Sequence, residues 1–299
     1  MTATQPHATG TGRKSSTWPL ANDDPTMIYL RSLLAERPIG ICTDIDGTIS
    51  ATAPTVDAAV LLPGIRELLA ELATRFDVVA TISGRAVLDQ RRMVNVPGVW
   101  HVGHHGYEWE EAGGTEGSRR VVLWSDAASH VQTIATAMDE IEAELAPQVP
   151  GLWMERKGVT GGVHWRLAED TDGAASLCIP VVERVAAAHH VRTRGGKYAI
   201  ELFPPVITHK GEGLKKVVER HRLRAVLYFG DDISDTDAFR AIRALREAGQ
   251  CEGLSIGVLH DDSPRVLKDH ADMLVEGTDG VWQLLCWLLD QMVTPFACH

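Results

Sequence analysis

Asp44 and Asp46 stand two residues apart in Ile41-Cys42-Thr43-Asp44-Ile45-Asp46-Gly47-Thr48-Ile49, just after an apolar run of strand length. On a strand, residues i and i+2 point to one face. Two carboxylates would therefore lie side by side where the strand ends. They repel each other unless a cation sits between them or they share a proton. In open α/β sheets, sites form outside the carboxyl ends of the strands, which is where these acids would lie. An Asp-rich turn after an edge strand is the alternative. Three more polar clusters sit at comparable points: Ser83-Gly84-Arg85 after a β-branched run, Lys210 at a helix start, and Gly230-Asp231-Asp232-Ile233-Ser234-Asp235 after another apolar run.

Periodicity predicts the elements that position these groups. Residues 27–35 have helical spacing ahead of the first strand. Pro63 near the start and the apolar i, i+3, i+4 pattern predict a helix over 63–72. The β-branched run 76–82 reads as a buried parallel strand. A helix over 86–93 and a strand over 99–102 continue a βαβ rhythm, which predicts a Rossmann-like, doubly wound parallel sheet of the α/β class. After Gly106 the rhythm changes. Helices over 126–145 and 174–189, alternating segments at 152–157 and 162–167, and a hairpin about Gly195-Gly196 predict an antiparallel α+β insert over 112–202. The parallel rhythm resumes from Lys210, with strands at 224–229, 255–258 and 272–275. The core is expected over 25–111 and 203–299, behind a disordered tail of residues 1–24 rich in Thr, Ser, Gly and Pro.

The composition excludes several classes of function. The 299 residues carry a formal charge of -11, which argues against nucleic acid or an anionic membrane as the main partner. No run of 18 apolar residues occurs, so no membrane-spanning helix is expected. The N-terminus lacks the apolar stretch of a signal peptide. Gly10-Thr11-Gly12-Arg13-Lys14-Ser15 lacks the spacing of a phosphate loop and any preceding strand. Five scattered cysteines without a CxxC pair fit reduced thiols in a cytoplasmic protein.

The four polar clusters, in this order, resemble the motifs of haloacid dehalogenase-like phosphatases. Within that superfamily the chain is similar to the trehalose-6-phosphate phosphatases. The likeness rests on Ser83-Gly84-Arg85, Gly103-His104-His105-Gly106-Tyr107-Glu108, Glu155-Arg156-Lys157-Gly158 with His164-Trp165-Arg166, and Glu201 ahead of His209-Lys210-Gly211. The insert stands where that family carries its cap. The resemblance implies Asp44 as nucleophile, Asp46 as acid and base, and Mg²⁺ held by Asp44, Asp231 and the backbone carbonyl of Asp46. Ser83 and Lys210 would hold phosphoryl oxygens, Arg85 beside Gly84 would orient the phosphate, and Thr48, Asp232 and Asp235 would support the metal side and Lys210. Glu155, Lys157 and Glu201 would bind sugar hydroxyls. A solvated, charged strand face is the alternative for those three. His101, His104 and His105 lack a further ligand set for a transition metal and read as loop and supporting residues.

Elementary chemistry agrees with the resemblance. Phosphate-monoester hydrolysis calls for accelerations up to ~10²¹-fold, reached by neutralising charge, aligning a nucleophile and protonating the leaving group. Carboxylates alone repel a phosphate dianion, and a divalent cation reverses that. The chain departs from the family pattern at Ile45, where an aromatic is usual, and at Thr236, where Glu is usual. Both bear on the sugar and leave the phosphatase chemistry intact. The expected activity is Mg²⁺-dependent hydrolysis of trehalose 6-phosphate through an aspartyl-phosphate. Other glycosyl phosphates (glucosyl- or mannosylglycerate phosphate, sucrose phosphate) and a non-catalytic sugar-phosphate sensor stay open, as does association with the upstream glycosyltransferase.

Overall fold

The computed structural model describes residues 16–51, 59–113, 118–196 and 198–292. The chain divides into two compact units, one of residues 1–83, 91–101 and 210–299, the other of residues 84–90 and 102–209. Among the described residues no helix is long and apolar enough to cross a membrane.

In the first unit the strand Ile39–Thr43 lies between Ala225–Gly230 and Val78–Ile82, parallel to both. Glu252–Leu259, Met273–Glu276 and Ser16–Thr17 extend the sheet outward from Ala225–Gly230, again in parallel, and Val99–Gly103 lies beyond Val78–Ile82. The expected doubly wound sheet is thus present. Every residue of Ile39–Thr43 and Ala225–Gly230 is buried, as strands covered on both faces require. Alternate residues serve opposite faces. Ile39, Ile41, Leu227 and Phe229 join one apolar core with the helices Pro25–Leu33, Ile65–Arg75 and Gly277–Gln291. On the other face Tyr228 meets Phe239 of the helix Asp235–Glu247, ring centroids 6.0 Å apart.

The chain leaves Ile39–Thr43 toward one side of the sheet and returns on the other side at Ala225–Gly230. The gap between these two strand ends is therefore a topological switch point, where doubly wound folds place their ligands.

The second unit holds an antiparallel sheet in the order Trp153–Arg156, Gly161–His164, Ala199–Phe203, Arg192–Gly196. One face of this sheet packs on the helices Val131–Leu145 and Thr171–Ala188 through Ile134, Met138, Val163, Cys178, Val182, Ile200 and Leu202. A hairpin pairs Glu108–Ala112 with Arg119–Leu123, and its first strand runs antiparallel to Val102 and Gly103, so it continues the edge of the larger sheet.

Three expectations change. The second unit is wider than 112–202, because the hairpin from Glu108 and the segment after Phe203 belong to it: Tyr107 stacks on Phe203 and donates its hydroxyl to the carbonyl of Val206. The tail is shorter than 1–24. Residues 1–15 lie outside the described residues, but Ser16–Thr17 pairs with Met273–Leu274 and Asp24 caps the helix Pro25–Leu33 by accepting from the amide of Thr26 at 2.7 Å. Gly195 and Gly196 do not form the turn of their hairpin; they lie in the strand, opposite Ile200 and Ala199. The polar loop expected around Pro54 and most of the turn at 113–117 lie outside the described residues.

Candidate active site

Asp44 begins where its strand ends. Its amide donates to the carbonyl of Phe229 at 2.8 Å, which extends the ladder by one bond. The chain then folds back sharply: the amides of Thr48, Ile49 and Ser50 all donate to the carbonyl of Ile45. Ile45 and Ile49 are fully buried in the apolar core, so the turn is anchored from below while Asp44 and Asp46 flank it. Gly47 has φ +80°, and a Cβ there would stand 2.1 Å from Asp231 Oδ2. Glycine is required on both counts.

The cluster itself is dense. Lys210, first residue of the helix Lys210–His221 and 2% exposed, places Nζ 2.9 Å from Asp44 Oδ2 and 2.8 Å from Asp235 Oδ1. Asp235 also accepts from the Tyr228 hydroxyl at 2.6 Å and from the amides of Asp231 and Asp232 at 3.1 and 3.0 Å. Both oxygens of Asp235 are thus engaged by four donors. Asp231 accepts from the Thr48 hydroxyl at 3.1 Å. His260, just past the strand Glu252–Leu259, donates Nε2–H to the carbonyl of Gly47 at 2.7 Å.

Charge explains the state of these groups. Burial pushes the Asp44 carboxyl well above the usual carboxylate range; Lys210 opposes this, while Asp235 and Asp231 add to it. Burial, then the charge of Asp235, raises Asp231 to about 6. Burial works against the Lys210 ammonium, but Asp235 and Asp44 outweigh it and hold the group charged. Asp44, Asp231 and Asp235 each offer an oxygen within 4.8 Å of the others. Three carboxylates against one ammonium leave an excess of buried negative charge, and oxygen donors in this arrangement suit a hard divalent cation. Because Asp235 is saturated by its donors, Asp44 and Asp231 are the carboxylates suited to hold one.

Of the other expected residues in this unit, Ser83 is buried just past the neighbouring strand Val78–Ile82. Asp46 is half-buried on the turn, and its carboxylate is outside the acidic cluster. The Asp232 side chain is exposed, and only its amide reaches Asp235. Tyr228 and His260 were not anticipated. Each had a signal: a tyrosine within an apolar strand must find a hydroxyl partner, and a histidine at the carboxyl end of a parallel strand stands where sites form.

The second unit carries the remaining expected residues. Glu155 Oε2 is 2.8 Å from Lys157 Nζ and 3.1 Å from His164 Nε2. Burial works to raise the Glu155 carboxyl, but His164 and Lys157 hold it down at about 2. Glu155 and Glu201 both stand opposite Gly162 in the sheet register, so the two glutamates share one face. Glu201 is held by Arg194 at 2.7 Å. Gly84 packs beneath the His105 ring, where a Cβ would come within 2.7 Å, and the carbonyl of Arg85 accepts from the amide of His104 and from Gln90 Nε2. His104 and His105 have φ +49° and +56°, left-handed values that non-glycine residues adopt where the surroundings enforce them.

A family model described as trehalose-phosphatase matches residues 42–269. Trehalose-phosphate phosphatases of Mycobacterium avium and Mycobacterium tuberculosis are each 34% identical over 236 residues, 77% of this chain and 56% of theirs. The chain therefore spans about half the length of the curated relatives it matches. Among solved structures, the C-terminal domain of Candida albicans trehalose-6-phosphate phosphatase superposes with a TM-score of 0.68 at 21% identity, covering 88% of this chain and 96% of that one. A trehalose-6-phosphate phosphatase related protein gives 0.66 at 22%, covering 84% and 97%. A haloacid dehalogenase-like hydrolase from Bacteroides thetaiotaomicron gives 0.57 at 15%, covering 83% and 98%. These likenesses establish the fold as that of haloacid dehalogenase-like hydrolases.

Proposed function

The chain belongs to the trehalose-phosphatase family, and on that premise we propose that it hydrolyses trehalose 6-phosphate to trehalose and phosphate. The observation that carries the reading is Asp44: a buried carboxylate at the switch point, gripped by Lys210 at 2.9 Å and set against Asp231. In the proposed reaction an oxygen of Asp44 attacks phosphorus, the bond from phosphorus to the sugar oxygen breaks, and Asp46 gives that oxygen its proton. Asp46 then takes a proton from water, the water oxygen attacks phosphorus, and the bond to Asp44 breaks, releasing phosphate.

Lys210 and Ser83 bind phosphoryl oxygens, and Gly84 and Arg85 shape the phosphate side. Asp235, held by Tyr228, fixes Lys210 and the backbone that carries Asp231. Mg²⁺ on Asp44, Asp231 and the carbonyl of Asp46 would supply charge neutralisation for the dianion. Thr48 orients Asp231 for that duty, and Asp232 stands at its outer edge. Glu155, Lys157 and Glu201 of the second unit, which we read as the specificity cap, accept and donate hydrogen bonds to sugar hydroxyls.

The experiment is phosphate release from trehalose 6-phosphate by the wild type and by Asp44→Asn, with and without Mg²⁺. Turnover that requires Mg²⁺ and falls below a few per cent in Asp44→Asn is expected. Substantial activity in Asp44→Asn would end the covalent mechanism.

A further inference from the structure

Trp153 opens the outer strand Trp153–Arg156 and is 50% exposed. Among the described residues it is the one exposed aromatic side chain. Its ring stands 4.6 Å from that of His164, tilted by 34°. His164 is itself fixed, through Nε2, by Glu155 at 3.1 Å. Gly162 lets the imidazole lie down across the sheet, for a Cβ at that position would stand 2.6 Å from His164 Nε2.

The register places these groups on one face. Trp153 and Ala199 both stand opposite His164, and Glu155 and Glu201 both stand opposite Gly162. Trp153 is thus about 7 Å along its strand from Glu155, while Glu155 and Glu201 are about 10 Å apart across two strand spacings. An indole with a structural duty would bury its rings among apolar neighbours. This one rests on an imidazole and leaves half of its surface open, on the sheet face that carries Glu155 and, two strands across, Glu201.

A pyranose ring has the complementary chemistry: hydroxyls around its rim and a face of C–H bonds. The π face of an aromatic ring carries negative charge and attracts such C–H groups, and carboxylates accept from the hydroxyls. We propose that Trp153, braced by His164, is a specificity-determining residue that stacks on the apolar face of a pyranose ring of the substrate, in the subsite whose hydroxyl acceptors are Glu155 and Glu201. The proposal rests on the sugar-phosphate reading above and deepens it.

The test uses the full chain with Trp153→Ala and Trp153→Phe, checked for an unchanged thermal melt. Two quantities are read: the ratio of kcat/KM for trehalose 6-phosphate to that for p-nitrophenyl phosphate, and the binding of trehalose itself by saturation-transfer NMR. Trp153→Ala is expected to lower the ratio about tenfold, mostly through KM, and to weaken trehalose binding to match. Trp153→Phe is expected to restore most of both. Trehalose binding that is undiminished in Trp153→Ala, or that the wild type lacks, overturns the platform. A wild type that binds trehalose through Trp153 but releases phosphate from no sugar phosphate overturns the functional reading and leaves the platform standing.

Discussion

Two charged clusters of this chain, one in each unit, are built in opposite ways. In the first unit Asp44, Lys210, Tyr228 and Asp235 are all buried, and the Asp235 carboxylate alone receives four donors. In the second unit Glu155 with Lys157, and Glu201 with Arg194, form pairs whose side chains are between 18% and 53% exposed. Interactions between buried charges are strong and leave one arrangement. Pairs that water reaches are screened, down to about 0–1 kcal/mol where fully exposed, and can trade partners. The first construction suits a reaction that tolerates little error in geometry. The second suits recognition, since a glutamate can exchange a lysine or an arginine for a hydroxyl. Under the proposed function the contrast would separate chemistry from selection, and each half of it can be broken by substitution.

After removal of the Asp44 nucleophile, the largest effect is expected at Asp46. Asp46→Asn should lower the rate on trehalose 6-phosphate by about 10²–10⁴-fold, the usual worth of a positioned proton donor. Phosphorylation by an activated aryl phosphate should fall far less, because its leaving group needs no proton. Equal losses in single-turnover rates on both substrates would remove Asp46 as the acid.

Next is a pH effect in the second unit. Burial first, then the charge of Lys157, lowers His104 to about 4, against the hydrogen bonding of Gly84 and the Lys157 backbone; Glu155 and Glu108 also face this ring. An unfolded chain protonates its histidines near 6.5. Stability from this residue is thus complete above pH 6.5 and is lost as the pH falls toward 4, by roughly 3 kcal/mol. Asn tolerates left-handed φ, so His104→Asn should flatten the fall in melting temperature between pH 7 and 4.5. An unchanged slope would refute it.

Glu155→Ala and Glu201→Ala should each cost about 1.5–3 kcal/mol in kcat/KM for trehalose 6-phosphate, one charged hydrogen bond apiece. The ratio to an aryl phosphate should fall by the same factor. Parallel losses on both substrates would mean that these glutamates support the fold and not the sugar.

The smallest effect is Tyr228→Phe. It removes one of the four donors to Asp235 and should cost about 1 kcal/mol of stability. Because Lys210 is held through Asp235, kcat should fall while the preference among sugars stays as it was. A change of preference would blur the separation of chemistry from selection.

Asp44, Lys210 and the run from Gly230 to Asp235 were legible in the sequence because each sits at a strand end or helix start that local periodicity reveals. Tyr228 and His260 owe their places to groups 7 and 213 residues away; their positions in the strands signal that a partner is needed, but no local pattern says which one. Ser16–Thr17 is too short for any period; its strand character comes from the edge that Met273–Leu274 presents. The limits of the insert are set in the same way, since Tyr107 takes its unit from Phe203 and Val206. Glu155 and Glu201 were picked out by motif, while their alignment over Gly162 needed the register.

A panel of phosphate esters decides the substrate. The wild type, with Mg²⁺ saturating, is offered trehalose 6-phosphate, sucrose phosphate, glucosylglycerate phosphate, glucose 6-phosphate and p-nitrophenyl phosphate, and phosphate release is followed as kcat/KM. Trehalose 6-phosphate should lead the panel by at least tenfold, about the selectivity that one well-placed polar or aromatic contact gives. A higher value for another sugar phosphate, or release from the aryl ester alone, would rule out trehalose 6-phosphate as the substrate.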